Sequence, residues 1–251
     1  METKIYGHRG SMGTYPENTL LGFMQAIKEG VDGIELDVHM TKDGEIVVIH
    51  DEFLDRTTDG TGYIKDLTLE EIRRHSAGVK FSHFDLFEDQ WRLEQVPTLQ
   101  EVLELLKPYP IELNIELKTT KFTYKGIEEK VQQIVQIYGN NRKVVYSSFH
   151  LPTLLRIKQL DPNHEIALLV EGNLPHPHEY MDCFHLEAIH VSQKGILKGV
   201  DYWRPSFPRL RAWTVNDMND MKQLLDLRVA AIITDYPEKA VFYKSERKSF
   251  V

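Results

Sequence analysis

The sequence predicts an α/β protein, a (β/α)8 TIM barrel carrying a small inserted subdomain after its second strand region. Three observations point there. Short apolar strand patterns alternate with helical ones along most of the chain, which is how βα units build a parallel sheet. The length, 251 residues, suits one such barrel, a fold that commonly runs to about 250. One stretch, 51–96, breaks the alternation and is too long for a βα loop, so it reads as an insertion.

Taken in order, a first strand is expected at 4–7 and a helix at 19–28, where Leu20, Phe23, Met24 and Ile27 share one face. Strands at 33–38 and 46–49 follow. The insertion leaves directly after His50, on the face where barrel chemistry sits, and holds one short helical pattern near 69–74. Next come a strand at 111–117 and a helix at 128–137, with Val131, Ile134 and Val135 on one side. Strands at 143–147, 165–170, 188–191, 210–213 and 231–234 complete the set. Residues 1–251 thus read as one domain, with 51–96 an inserted subdomain within it and 244–248 a solvated charged end.

Composition removes several classes of function. Lys and Arg number 30 against 38 Asp and Glu, a net charge of −8, which argues against a polyanion-binding surface and so against a nucleic-acid partner. Apolar residues make up 41% of the chain and aromatic ones 10%, enough for a sizeable core. The lone Cys183 excludes an internal disulfide and a thiolate-rich metal site, and reads as a small buried hydrophobe. The first residues show no basic and apolar leader pattern, and no run of about 18 apolar residues occurs anywhere. A cytoplasmic protein without stable membrane insertion is expected.

The strand from Ile111 to Lys118 alternates strictly, with Ile111, Leu113, Ile115 and Leu117 on one face and Glu112, Asn114, Glu116 and Lys118 on the other. In a barrel the polar face points inward, where a carboxylate costs several kcal/mol, on the order of the effective desolvation penalty, unless it is paired or binds a cation. The strand at 33–38 repeats the feature with Glu35 and Asp37. Glu35, Asp37 and Glu116 therefore offer three oxygen donors at two strand ends, a set that suits one hard divalent cation, Mg²⁺ or Ca²⁺; the alternative is a salt-bridged core network with Lys118. Two histidines, His8 and His50, also fall at strand ends, as proton-transfer groups or as structural hydrogen-bonders. Arg9 adds a planar fork suited to phosphate, beside Gly10, which lets a ligand approach the backbone.

These residues belong to an ordered series: His8-Arg9-Gly10, Pro16-Glu17-Asn18-Thr19, Glu35-Leu36-Asp37-Val38, Val47-Val48-Ile49-His50-Asp51, Asn114-Ile115-Glu116-Leu117-Lys118, Trp213-Thr214-Val215-Asn216 and Ile233-Thr234-Asp235-Tyr236-Pro237. The series resembles the motif set of the glycerophosphodiester phosphodiesterase family, in its cytosolic bacterial, single-domain form. The resemblance implies a metal-dependent hydrolase that cleaves glycerophosphodiesters, its small-molecule substrates, to sn-glycerol 3-phosphate and an alcohol. It implies His8 and His50 as general base and acid, Glu35, Asp37 and Glu116 as metal ligands, Arg9 and Lys118 as phosphate holders, Glu17 as support for the metal shell, and Trp213 as a wall against the glycerol backbone. Two other readings stay open at this point, a barrel phospholipase acting on lysophospholipids and a non-catalytic phosphodiester-binding barrel. Phe81, Phe84, Phe87 and Trp91 in the insertion are expected to cover the site and to set the choice of head group.

Overall fold

The structure is a computed structural model and describes residues 2–248. Its strands are β1 (Lys4–His8), β2 (Gly33–Met40), β3 (Ile46–Val48), β4 (Glu112–Leu117), β5 (Val144–Ser148), β6 (Glu165–Val170), β7 (Ala188–Ser192), β8 (Leu210–Trp213) and β9 (Ala231–Thr234). They lie in the order β1-β9-β8-β7-β6-β5-β4-β2-β3, and β1 also pairs with β2, which closes the ring. Every pairing within the ring is parallel. The strand expected at 46–49 is present as β3, yet it lies outside the ring, antiparallel on the end of β2 with Val38 opposite Val48. Eight strands therefore form the barrel, and β3 carries the chain away from it into the insertion.

Around the ring run α1 (Leu20–Lys28), α3 (Leu99–Leu106), α4 (Ile127–Tyr138), α5 (Leu151–Leu160), α6 (Pro177–Cys183), α7 (Gln193–Lys198), α8 (Val200–Trp203), α9 (Met218–Leu227) and α10 (Pro237–Lys248), while α2 (Leu69–Ile72) lies in the insertion. The strand alternation decides which residues they cover. Ile34, Leu36 and Val38 on β2 and Leu113, Ile115 and Leu117 on β4 face outward into one core beneath the helices, all of them fully buried. Each such side chain contributes roughly 1.5–3 kcal/mol of transfer free energy. The alternate residues fill the barrel, with Val145, Ala167 and Ala188 on one side and Tyr6, Ala231 and Ile233 on the other. At the starts of the strands Glu112 accepts hydrogen bonds from both Lys4 and Tyr6, so the inward acidic residue farthest from the strand ends is neutralised within the barrel.

Three expectations need correction, two of them only in part. On α1 the expected Phe23 is fully buried and Leu20 and Ile27 pack partly buried against the core, but Gly22 and Ala26 also lie on the buried face, which the apolar pattern of the sequence leaves out, and Met24 is only partly buried. The cause is close approach: Gly10, at φ +85°, lies so near the helix that a Cβ there would stand 2.6 Å from the Gly22 carbonyl carbon. Cys183 is exposed, because Met181 and Pro177 take the inner face of the short α6. Residues 244–248 continue α10; Ser245, Glu246 and Arg247 are exposed as expected of a solvated end, and only Lys244 departs from it, its Nζ reaching Asp32 Oδ2 at 2.8 Å.

The insertion builds a core of its own from Val47, Ile49, Leu54, Ile64, Ile72, Ala77 and Val96. Thr68 and Glu71 form a capping box that starts α2. Trp91, 2% exposed, stacks with Phe84, Phe87 and with Tyr15 from the loop after β1, at centroid distances of 6.5, 5.6 and 5.1 Å.

Candidate active site

The site is assembled at the carboxyl ends of the barrel strands. Parallel register sets Asp37 on β2 beside Glu116 on β4, and Glu35 lies two residues earlier on the same inward face. One carboxylate oxygen from each of the three lies within 4.8 Å of the others, and all three residues are buried. Burial and the neighbouring carboxylates push Glu35 well above the usual carboxylate range. Glu116 is also raised, by burial and Asp37 against the opposing pull of Lys118. Burial pushes Asp37 in the same direction, but Arg9 and Lys118 outweigh it and hold Asp37 far below that range. Asp37 Oδ2 accepts from Asn18 Nδ2 at 3.0 Å, while Oδ1 has no hydrogen-bond partner among the described residues and Lys118 Nζ stands 3.6 Å from it. Three buried carboxylates that resist sharing negative charge, one with an orphaned oxygen, fit a hard divalent cation.

The two histidines reach the same cavity from different elements. His8 ends β1; its Nδ1 lies 2.6 Å from Asp235 Oδ1 and its Nε2 3.8 Å from Glu35 Oε2. His50 follows β3, and its Nδ1 lies 2.7 Å from Asp51 Oδ1. Since a carboxylate only accepts, each Nδ1 carries the proton and each Nε2 is left for chemistry. Burial, reinforced by Arg9, lowers the His8 pKa against the opposing pull of Asp235, so His8 presents a bare Nε2 at neutral pH.

Asp235 and Asp51 are further held in place. Asn216 Nδ2 donates to Asp235 Oδ2 at 2.6 Å and its Oδ1 accepts from the Asp235 amide at 3.0 Å. Arg56, from the insertion, donates from Nε to Asp51 Oδ2 at 2.7 Å and forks onto Glu17 at 2.7 and 2.8 Å. Glu17 in turn accepts from Arg9 Nη1 at 2.9 Å, so it touches the carboxylate cluster only through Arg9, whose Nε stands 3.1 Å from Asp37. His39 lies next to this chain as well. Its Nε2 meets the His50 carbonyl oxygen at 3.0 Å and its Nδ1 the Tyr124 hydroxyl at 2.9 Å, and burial lowers its pKa to about 4.

A cavity of about 90 Å³ is lined by His8, Arg9, Glu35, His50, Glu116 and Lys118, and on another side by Trp213. Asp37 and Glu17 are not among the residues that line it. Trp213 meets Phe149 edge to face at 5.6 Å, forming an aromatic corner. None of Phe81, Phe84, Phe87 and Trp91 lines the cavity; they pack on one another and on Tyr15.

Reading the sequence missed Asp51, Asp235, Asn216, Arg56 and Phe149 as participants. Asp235 had a usable signal. It follows the last strand, and closure of a barrel necessarily brings that strand beside the first, here with Gly7 opposite Thr234.

A closed (β/α)8 barrel with a cation-fitting carboxylate cluster and two carboxylate-backed histidines at its strand ends is the architecture of a barrel enzyme, its acidic cluster fitting a divalent cation. The chain belongs to the glycerophosphoryl diester phosphodiesterase family, whose profile matches residues 8–239. It is 38% identical over 242 residues to a glycerophosphodiester phosphodiesterase of Caldanaerobacter subterraneus subsp. tengcongensis, covering 96% of this chain and 97% of that one. A Bacillus altitudinis glycerophosphodiester phosphodiesterase is 39% identical over 250 residues, covering 98% of this chain and all of that one. Among solved structures, an Oleispira antarctica phosphodiesterase in complex with the product sn-glycerol-3-phosphate is similar at a TM-score of 0.85 and 27% identity, covering 98% of this chain and 97% of that one.

Proposed function

We propose that this chain hydrolyses glycerophosphodiesters to sn-glycerol 3-phosphate and an alcohol, with His8 as general base and His50 as general acid. One observation carries this reading: two histidines whose Nδ1 atoms are each committed to an aspartate line one cavity with Glu35, Glu116, Arg9 and Lys118. His8, neutral at Nε2, accepts the proton of the attacking hydroxyl. As the glycerol hydroxyl beside the phosphate gives that proton to His8 and bonds to phosphorus, the P–O bond to the alcohol breaks and His50 delivers a proton from Nε2 to the departing oxygen; water then opens the cyclic phosphate, giving its proton to His50 while His8 returns one to the glycerol oxygen. Arg9 and Lys118 hold the phosphate oxygens, with Glu17 keeping the Arg9 fork in place. Glu35, Asp37 and Glu116 would hold one Mg²⁺ or Ca²⁺, which when bound supplies positive charge against that developing on the phosphate. Trp213 and Phe149 form the apolar wall for the glycerol skeleton. Residues 51–96 act as one subdomain that holds Asp51 and Arg56 behind His50.

The test is an assay of glycerophosphocholine, glycerophosphoethanolamine, glycerophosphoglycerol and a lysophospholipid on chelator-treated protein, with Mg²⁺ or Ca²⁺ restored in turn. Release of sn-glycerol 3-phosphate from the first three, dependent on added metal, is expected. Full activity in exhaustively metal-free protein, or turnover of the lysophospholipid alone, would overturn the reading.

A further inference from the structure

His190 lies on β7, is fully buried, and lines the same cavity beside Leu169, Ile233 and Trp213. Neither its Nδ1 nor its Nε2 has a hydrogen-bond partner among the described residues. An imidazole left so inside a barrel forfeits two hydrogen bonds, a loss native interiors rarely tolerate without a ligand or water to make them good. Asn114 Oδ1 and Trp213 Nε1 line this cavity too, and they are likewise buried without partners. Four unpaired polar atoms alongside Leu169 and Ile233 match a short carbon skeleton bearing hydroxyls.

Charge decides which half of a diester this end receives. Arg211 on β8 is the register neighbour of His190, and burial together with that guanidinium drives the imidazole pKa well below its ordinary value. The ring is therefore neutral near pH 7, with one N–H and one lone pair. A hydroxyl both donates and accepts, so it satisfies such a ring. The ammonium of a choline or ethanolamine group offers no acceptor and leaves the N–H of such a ring unsatisfied.

We propose that His190 is a specificity-determining residue that hydrogen-bonds the terminal hydroxyl of the substrate's glycerol unit, with Asn114 and Trp213 flanking it. This rests on the reading of the cavity as a glycerophosphodiester site. The experiment compares kcat/KM for glycerophosphocholine with that for the analogue whose terminal glycerol hydroxyl is replaced by hydrogen, keeping the hydroxyl next to the phosphate. Both are measured on the wild type, His190→Leu and His190→Gln, with folding followed by circular dichroism. The wild type is expected to prefer the parent by about 10- to 100-fold, the worth of one buried, unreplaced hydrogen bond. His190→Leu should lose most of that preference, and His190→Gln, which keeps a donor and an acceptor, should retain part of it. A folded Leu or Gln variant that lowers both substrates in parallel, preference intact, would overturn the assignment. So would a wild type that turns over the two substrates equally. A wild type that hydrolyses neither would instead defeat the reading of the site itself, which separates the two failures.

Discussion

His8 can work as a base only while Asp235 keeps the proton on Nδ1, and Asp235 is in turn oriented by two hydrogen bonds with Asn216, one accepted by its carboxylate and one donated by its amide. Asp235→Asn keeps the shape but offers Nδ1 an amide that can donate, which favours the tautomer with its proton on Nε2. We expect kcat to fall by about 10²-fold or more, the range for lost acid-base catalysis, with little change in KM. A kcat within a few-fold of wild type, in a variant folded by circular dichroism, would show that Asp235 does not set the His8 tautomer. His39 illustrates the opposite kind of residue. From the sequence it stands as one more histidine beside Glu35-Leu36-Asp37, while in the fold its ring is spent on Tyr124 and on the carbonyl of His50. A histidine's two nitrogens are claimed by partners 85 and 11 residues away, and no local pattern announces that.

Among elements, β4 was the most legible, because strict alternation leaves one arrangement that buries its aliphatic face and turns Asn114, Glu116 and Glu112 inward. α1 was read less well, since counting large apolar residues overlooks Gly22 and Ala26, whose smallness is what brings the helix against the loop after β1. The aromatics of 51–96 were expected to cover the site, and they do not line the cavity. Aromatic residues at irregular spacing carry no periodicity from which a facing direction can be read, and here they face Tyr15 and each other. Trp91→Ala should therefore cost about 3–5 kcal/mol, as for other buried tryptophans, and leave the ranking of head groups as it was. Denaturant unfolding together with the substrate panel checks this. A changed ranking at unchanged stability would return Trp91 to the site.

At the scale of the whole molecule, stability carries a pH dependence to which the buried His39 contributes, with the same sign as the buried His8 and His190. His39 is held neutral, with its pKa lowered to about 4 from 6.5, so between those values the unfolded chain binds the extra proton. Stability from this source is complete above about pH 6.5 and drains away as the pH falls toward 4. Glu35 and Glu116, raised in the fold, act with the opposite sign, but they cancel when two variants are compared. Between pH 7 and pH 4.5 the wild type should lose about 2 kcal/mol more than His39→Gln, which can keep both hydrogen bonds without titrating. Urea unfolding at the two pH values measures the difference, and equal losses would show that His39 titrates normally in the fold. Closure of the ring has a consequence in time as well as in space. His8 and Asp235 are 227 residues apart, so the first half of the dyad leaves the ribosome long before the second is made. At roughly 5–20 residues per second that interval is on the order of 10–45 s. Throughout it a nascent chain already holds His8, then Glu35 and Asp37 on β2, then His50 and later Glu116 on β4, and still lacks the aspartate that orients its base. Turnover is thus withheld until translation has passed the last strand, and the onset of activity on a translating ribosome would report the moment at which the ring shuts.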